Sequence, residues 1–389
     1  MRIEVARAAA AAIRRGHPWL YREGIIRPPR GLASGAVVEL HEGDELLGRG
    51  LWDAESPIAA RVHERERPLD VASITARVER ALAARDELFG GDDETTAYRL
   101  VNGEGDRVPG LTMDRYGDVA VMRLDGAAIA AWLDRIAPPI AAALSRRGVT
   151  KLCVRDPEAA AGARKLRSLA GGAPPDRVVV RERGVAMEVD LAHGQKTGAF
   201  LDQRENRARV RGLAAGRDRV LNLYSYAGGF SIAAALGGAV RVTSVDSASA
   251  AHASAQRTFR LSAADPTAHT FVTADCMAFL EQAQARGDRF DLVISDPPSF
   301  APSEKALPRA LGAYRRLHRA IAAVLADGAI FCASSCSSHV TAEDFLGTLD
   351  DATLGSDRLR LREIFGQPAD HPTLPAWPEG RYLKFAVLS

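Results

Sequence analysis

The amino-acid sequence predicts an α/β fold in its C-terminal half: a doubly wound parallel sheet that is closed by an antiparallel pair of strands. Three observations predict it. From about residue 183, short apolar segments alternate with helical patterns, the first of these segments ends in a pair of glycines, and the last two have no long helix between them. Short strands that alternate with helices imply parallel βαβ units with right-handed crossovers.

The alternation can be assigned segment by segment. Strands are predicted at 219–225, 241–246, 269–274, 290–295 and 328–334, with helices at 229–236, 248–261, 276–286 and 311–325. The tail differs, because 358–364 and 382–388 are both strand-like and a proline-rich loop separates them. We therefore expect an antiparallel hairpin to close the sheet, which an all-parallel dinucleotide-binding fold would not show.

The N-terminal half predicts two smaller domains, a β-rich one over residues 1–70 and an α+β one over 71–182. In the first, alternating apolar residues at 35–40 and 45–51 flank a polar turn, which is typical of a hairpin. In the second, residues 74–88 and 129–144 have helical spacing, and 119–124 reads as a strand. The third predicted domain is the α/β region, 183–389.

Hydrophobic content, charge and cysteine count limit the classes of protein to which the chain can belong. The chain has 389 residues, 47% of them hydrophobic, and a formal charge of +2. Its first thirty residues are basic, which fits either an anionic partner or a solvated arginine face. The four cysteines show no CxxC pair, so we expect no disulfide, no metal site and a reducing cytoplasmic location. No apolar run approaches the ~20 residues that span a bilayer.

Acidic residues and glycines stand where a nucleoside cofactor would bind. Ligands of open α/β sheets bind beyond the carboxyl ends of the strands, and successive strands here end at Asp246, Asp275 and Asp296. A carboxylate that holds ribose would repel phosphates, so S-adenosylmethionine fits best; for Asp275, helix capping is the alternative. The candidate cofactor residues in this region are Tyr224, Ala227, Gly228, Gly229, Asp246, Asp275 and Asp296.

The turn at residues 296–300, Asp-Pro-Pro-Ser-Phe, is the candidate substrate site. Two prolines, Pro297 and Pro298, stiffen the chain just after a strand. Asp296 can accept a hydrogen bond from a flipped base, and Phe300 can stack on it. An ordinary proline turn is the alternative interpretation.

Cys336 is the candidate nucleophile. It lies in a serine-rich turn after an apolar strand and before a helix, where hydroxyl groups and the helix N-terminus could stabilise a thiolate. A thiolate that adds to carbon 6 of a pyrimidine makes carbon 5 electron-rich enough to accept a methyl group, so one hard step becomes two easier ones. Asp296 would stabilise the protonated adduct. The other three cysteines are expected to be buried and inert.

A polar segment precedes the first strand of the sheet, at residues 193–207. We expect Gln195, Thr197 and Phe200 to contact the cofactor and Lys196 and Arg204 to contact the substrate. A glycine turn followed by a charged helix start is the alternative interpretation.

Together, these motifs resemble the bacterial 23S ribosomal RNA cytosine-5 methyltransferases that carry an N-terminal PUA domain. The resemblance spans the chain and includes residues 16–19, 99–106, 194–198, 335–337 and 378–384. It implies a PUA domain that docks RNA, a central linking domain and a Rossmann-like class I methyltransferase domain that often dimerises. It assigns Cys336 as the nucleophile.

One departure leaves the target atom open. Many relatives have lysine, alanine or threonine after the Asp-Pro-Pro turn, where this chain has Ser299. The turn also resembles the Asp-Pro-Pro-aromatic class, which methylates nitrogen atoms. The sequence therefore predicts a 23S ribosomal RNA cytosine-5 methyltransferase, with a guanine N-methyltransferase or a non-catalytic RNA-binding assembly factor as alternatives. The expected partners are ribosomal RNA or a large-subunit precursor, without a membrane, and a homodimer is left open.

Overall fold

The computed structural model of the chain describes residues 1–155, 166–194 and 196–389. The chain divides into two compact units. Unit 1 comprises Met1–Val180, Val189–Leu201 and Ala369–Gly380, and unit 2 comprises Arg181–Glu188, Asp202–Pro368 and Arg381–Ser389. Among the described residues, no helix is long and apolar enough to cross a membrane.

Unit 1 contains two five-stranded sheets and four helices among its described residues. The strands are β1 (Arg2–Glu4), β2 (Trp19–Tyr21), β3 (Val37–Glu42), β4 (Glu45–Trp52), β5 (Ile58–Glu64), β6 (Ala97–Asn102), β7 (Leu111–Tyr116), β8 (Val119–Leu124), β9 (Lys151–Arg155) and β10 (Leu166–Ala170). The helices are α1 (Arg7–Arg15), α2 (Val71–Phe89), α3 (Ala127–Ala130) and α4 (Leu133–Ser145). The sheets have the strand orders β1-β3-β4-β5-β2 and β10-β9-β8-β7-β6.

Local sequence explains how several of these elements begin and end. Helix α2 begins with a capping box, in which the Asp70 carboxylate accepts from the Ser73 N–H at 2.7 Å and the Ser73 hydroxyl accepts from the Asp70 N–H at 3.1 Å. The single helix predicted over 129–144 is instead two helices, α3 and α4. At the break, the buried Trp132 indole donates to the Gly35 carbonyl at 2.7 Å, a contact that helical periodicity does not reveal.

A two-stranded sheet, β11 (Arg177–Glu182) and β12 (Val185–Asp190), stands where the chain passes from one unit to the other. The sequence analysis did not predict this pair. Strand β12 does alternate, with Val185, Met187 and Val189 buried, so this alternation was the signal that could have found the pair.

Unit 2 is the predicted α/β fold. Its strands are β13 (Arg219–Leu223), β14 (Arg241–Asp246), β15 (Thr270–Thr273), β16 (Phe290–Ser295), β17 (Leu325–Ser335), β18 (Leu361–Phe365) and β19 (Lys384–Leu388). Its helices are α5 (Arg204–Leu213), α6 (Gly229–Leu236), α7 (Ser249–Leu261), α8 (Cys276–Ala285), α9 (Leu307–Ala322), α10 (Ala342–Leu346) and α11 (Asp351–Leu354).

The sheet of unit 2 has the order β15-β14-β13-β16-β17-β19-β18. Its first five strands are parallel, and β19 pairs antiparallel with both β17 and β18. Both faces are buried, since Leu221 and Val293 belong to one core cluster and Val220 and Leu292 to another. The predicted fold class is therefore confirmed. The strand order reverses between β13 and β16, where ligands of such sheets bind.

Candidate active site

The turn after β13 has a strained backbone. Tyr224, Tyr226 and Gly228 have positive φ angles of 56°, 45° and 77°. A Cβ atom on Gly228 would lie 2.7 Å from the Cβ of Ala255, so this position requires glycine for space as well as for conformation. Non-glycine residues in the left-handed region are costly and cluster at functional sites. The turn leads directly into α6, which begins at Gly229. Ala227, which lies between Tyr226 and Gly228 in the turn, is partly buried.

The carboxylate of Asp246, at the end of β14, holds this turn. One oxygen accepts from the N–H of Tyr226 at 2.8 Å, and the other accepts from the N–H of Ala248 at 2.9 Å. Asp246 is partly exposed, and an ionised carboxylate has about four lone-pair sites. Acceptor capacity is therefore left for ribose hydroxyls, and the predicted ribose contact fits this geometry.

Asp275 caps helix α8, because its Oδ1 accepts from the Ala278 N–H at 2.9 Å. This is the alternative role that the sequence left open, and a cofactor contact by Asp275 stays a prediction. The next residue, Cys276, ties two strand ends together: its sulfur accepts from the Tyr224 N–H at 3.3 Å and lies 3.8 Å from the Val245 carbonyl oxygen. Burial raises the pKa of Cys276 to about 12, so this thiol stays protonated.

The structure brings Cys336 to the Asp-Pro-Pro turn. Strands β16 and β17 are parallel neighbours, so Asp296 and Cys336, which follow them, lie at the same edge of the sheet. The Sγ of Cys336 is 3.9 Å from the carbonyl oxygen of Pro297, and the side chain is partly exposed. Cys332, within β17, is fully buried, and burial raises its pKa to about 12. Of these two cysteines, Cys336 is therefore accessible and Cys332 belongs to the core.

A network of hydroxyl groups joins the two turns. The Oγ atoms of Ser299 and Ser337 are 2.9 Å apart, and the Tyr314 hydroxyl donates to the Oγ of Ser335 at 2.9 Å. Ser299, the departure from the pattern of many relatives, thus fastens the Asp-Pro-Pro turn to the cysteine turn. Phe300 packs on Tyr314 with ring centroids 4.8 Å apart and is partly buried, so base stacking by Phe300 stays a prediction. Pro298 is exposed and Pro297 is buried.

Lys384 is a site residue that the sequence analysis missed. It lies opposite Ser335 in the antiparallel pairing of β17 and β19 and is only 4% exposed. Its Nζ donates to the carbonyl oxygens of Ser337 and Tyr382, at 2.6 Å and 2.8 Å. Burial lowers the pKa of Lys384 to about 8, against the opposing effects of Cys336 and Asp344. A lone lysine at the start of an otherwise apolar terminal strand was the available signal.

The start of α5 is buried and polar. Arg204 is 3% exposed, and its Nε lies 3.2 Å from Oε1 of Glu205, so its guanidinium lies inside unit 2 and a substrate contact by Arg204 stays a prediction. Just before it, the Gln203 amide donates to the Ser334 hydroxyl at 3.1 Å. Asp202 accepts from the Tyr382 hydroxyl at 2.7 Å. These contacts join the residues just before α5 to β17 and to the segment that leads into β19.

The remaining predicted residues lie in unit 1. Thr197 is buried, donates to Asp114 and lies 2.9 Å from the Tyr116 hydroxyl. The Lys196 ammonium stands 4.5 Å from the centre of the Phe200 ring. Gln195 falls outside the described residues. The predicted cofactor and substrate contacts of this segment therefore stay predictions.

No cluster of three or more histidine, cysteine, aspartate or glutamate side chains with metal-binding geometry occurs within the described parts of the chain. The acidic residues at the strand ends instead accept hydrogen bonds from backbone N–H groups, as described for Asp246 and Asp275.

Two family models match the chain. Residues 133–380 match the model described as S-adenosylmethionine-dependent methyltransferase, and residues 3–65 match a PUA-like domain. The chain is 40% identical to the ribosomal RNA large subunit methyltransferase of Deinococcus radiodurans, with 100% of this chain and 97% of that protein covered. It is 32% identical to ribosomal RNA large subunit methyltransferase I of Escherichia coli, with 99% and 98% covered.

Solved structures are similar over the same extent. A SAM-dependent methyltransferase from Streptococcus mutans superposes with a TM-score of 0.87 at 25% identity, over 100% of this chain and 99% of that one. A second methyltransferase, solved in complex with SAH, has a TM-score of 0.88 at 25% identity over 100% of both chains.

Proposed function

The chain belongs to the family of S-adenosylmethionine-dependent methyltransferases, and we propose that it methylates carbon 5 of a cytosine in large-subunit (23S) ribosomal RNA through a covalent adduct with Cys336. The observation that carries this proposal is the 3.9 Å separation between the Cys336 sulfur and the Pro297 carbonyl oxygen, immediately after Asp296. Two similar proteins are named for large-subunit ribosomal RNA, and the PUA-like match supports an RNA substrate.

The residues present fit the methyl donor. The turn at Tyr224–Gly228 has the backbone conformation of a ligand-binding glycine turn, with positive φ angles at Tyr224, Tyr226 and Gly228. Asp246 keeps acceptor capacity for ribose while its carboxylate holds the turn. When bound, S-adenosylmethionine supplies an electrophilic methyl group on a positively charged sulfur. A carboxylate nearby is compatible with that charge, whereas it would repel a pyrophosphate.

Addition of the cysteine thiolate would make carbon 5 of the pyrimidine nucleophilic enough to accept a methyl group. The Cys336 thiolate forms a bond to carbon 6, and the electrons of the carbon 5–carbon 6 double bond become available at carbon 5. Asp296, beside the same turn, would hold the Watson–Crick edge of the base and stabilise the adduct. After carbon 5 is methylated, a base removes its proton, the double bond re-forms, and the carbon 6–sulfur bond breaks to release the thiolate.

The cytosine must leave its stack before the sulfur can reach it. Extrusion of a base from a helix costs a few kcal/mol and is cheapest for an unpaired nucleotide. A rigid acceptor site lowers the further cost of ordering the protein around the base. The bonds from Ser299 to Ser337 and from Tyr314 to Ser335 provide such rigidity on both sides of the cysteine.

The first test is Cys336→Ala, with Cys332→Ala, from the preceding strand β17, as the matched control. Methyl transfer from tritiated S-adenosylmethionine to large-subunit ribosomal RNA should fall by several orders of magnitude in the first variant and little in the second. Digestion of the wild-type product should yield 5-methylcytidine. RNA with 5-fluorocytidine at the target should trap the wild-type protein as a covalent adduct, because fluorine cannot leave carbon 5 as the proton does.

The alternatives predict different products. The Asp-Pro-Pro-Ser-Phe turn at residues 296–300 also suits nitrogen methylation, which needs no cysteine. A methylguanosine product together with full activity of Cys336→Ala would establish that reaction and overturn the covalent mechanism. RNA binding without any uptake of S-adenosylmethionine in calorimetry would instead identify an RNA-binding assembly factor.

A further inference from the structure

The buried lysine beside the cysteine turn has no role in the reaction as derived so far. We propose that Lys384 is a positioning residue for Cys336: its ammonium fixes the cysteine turn through the Ser337 carbonyl and stabilises the Cys336 thiolate. This inference rests on the proposed function only for the use to which the thiolate is put. The charge and the hydrogen bonds of Lys384 are properties of the folded protein without RNA.

The position of Lys384 depends on strand pairing. It lies opposite Ser335, the residue before Cys336, in the antiparallel pairing of β17 and β19. Its ammonium reaches the carbonyl oxygen of Ser337, the residue after Cys336. Two of its three N–H bonds are accounted for among the described residues, by the carbonyl oxygens of Ser337 and Tyr382. The bond to Ser337 is 2.6 Å long and holds the peptide immediately after Cys336.

No carboxylate pairs with Lys384 within 4.0 Å in the parts of the chain that the structure describes. The side chain is nevertheless 4% exposed, and a buried charge without a fixed counter-ion is costly. Burial accordingly lowers the pKa of Lys384 to about 8, and the negative charges of Cys336 and Asp344 oppose that shift. Because electrostatic interaction is reciprocal, the ammonium favours the Cys336 thiolate as much as the thiolate favours the ammonium.

Three other titratable groups around the cysteine turn would not stabilise a thiolate. Asp296 and Asp344 are acids, and like charges disfavour ionisation of a neighbour. Tyr314 is a neutral hydroxyl at physiological pH, since burial raises its pKa and the charges of Cys336 and Asp296 add to the effect. Among these four groups, Lys384 is therefore the cation that offsets the acids.

The test measures the thiolate directly in the folded, free protein. Alkylation of Cys336 by iodoacetamide is followed by intact mass between pH 6 and 10, and the other three cysteines, each at most 3% exposed, serve as internal references. In Lys384→Met, the pH midpoint of the rate should rise by about 1 unit, the effect expected from loss of a nearby opposite charge. Lys384→Arg should restore most of the wild-type midpoint.

Two further variants serve as a replacement for Lys384→Met and as a control. Lys384→Gln retains a donor for a carbonyl but no charge, so it should also raise the midpoint, and it replaces the methionine variant if that variant fails to fold. Lys151→Met removes a lysine from unit 1, where it pairs with Asp118, and should leave the midpoint unchanged. A wild-type midpoint in folded Lys384→Gln would overturn the inference.

The same measurements separate this inference from the proposed function. An unshifted midpoint combined with an inactive Cys336→Ala would remove the role of Lys384 and leave the covalent mechanism intact. A shifted midpoint combined with a fully active Cys336→Ala would show a charge-stabilised thiolate that the reaction does not use. In the methyl-transfer assay, loss of positioning should lower kcat far more than it raises KM.

Discussion

Buried Arg85 of unit 1 and buried Lys384 of unit 2 are both cations inside the protein, but they have different partners. Arg85, 2% exposed, forms two 2.7 Å bonds to the Asp106 carboxylate, and Arg99 lies 2.6 Å from Asp114. Lys384 has carbonyl partners instead. An arginine locked to a carboxylate is neutralised and acts structurally, whereas the charge of Lys384 remains available to Cys336. The comparison teaches that burial alone does not distinguish a structural cation from a functional one; the partner does.

The largest expected effect comes from breaking an arginine pair. Arg85→Leu leaves the partly buried Asp106 carboxylate, whose side chain is 9% exposed, without its cation, so the free energy of unfolding of unit 1 should fall by about 3–5 kcal/mol. Lys384→Met leaves only neutral carbonyl groups and should cost unit 2 less, about 1–3 kcal/mol.

Urea titrations can follow unit 1 separately, because all four tryptophans, Trp19, Trp52, Trp132 and Trp377, belong to it. Hydrogen exchange of peptides from β17 and β19 reports on unit 2. The control is Arg146→Leu, which removes an exposed pair with Glu79 and should change stability by less than about 1 kcal/mol. Equal losses for Arg85→Leu and Arg146→Leu would contradict the distinction.

A second comparison between the units concerns how the stability of each depends on pH. Burial lowers the pKa of His63 in unit 1 to about 3, helped by the charges of Arg77 and Arg61, and burial lowers the pKa of His318 in unit 2 to about 4. Below the ordinary pKa of 6.5, the unfolded chain gains a proton at each site that the folded chain does not. The free energy of unfolding should therefore fall with decreasing pH, by about 1.4 kcal/mol per pH unit for each histidine.

Tryptophan fluorescence separates these two contributions. His63→Leu should flatten the decline of unit 1 stability between pH 6.5 and 5, as seen in urea titrations at several pH values. His318→Leu serves as the matched control and should leave that slope as in the wild type. An unchanged slope in His63→Leu would show that His63 does not stay neutral in the folded protein.

The smallest expected effect is at the hydroxyl network. Tyr314→Phe keeps the ring against Phe300 but removes the donor to Ser335, so unit 2 should lose about 1 kcal/mol and methyl transfer should fall several-fold as the cysteine turn loosens. Tyr98→Phe removes a hydroxyl that accepts from Arg115 in unit 1 and should leave methyl transfer unchanged. Equal activity in the two variants would exclude a positioning role for Tyr314.

Much of the fold of unit 2 is readable from local pattern. The predicted strands at 241–246 and 290–295 coincide with β14 and β16, and the predicted helix at 229–236 coincides with α6. Each segment has a glycine, an acid or a proline at one end, and Leu292–Ile294 of β16 form a continuous apolar run because both faces of the sheet are buried. The antiparallel closure also followed from the absence of a helix before the last strand. Helices α3 and α4, predicted as one, show the limit: a tertiary contact of Trp132 accompanies the break.

The sequence by itself determined the alternation of strands and helices, the polar residues at the strand ends and the cysteine that follows β17, because each depends on neighbours along the chain. Only the tertiary structure decided that Ser299 meets Ser337, that Phe300 packs on Tyr314 and that Lys384 stands beside the cysteine turn. Those contacts join residues far apart in sequence. They depend on which strands pair and in what register, and no local periodicity specifies either.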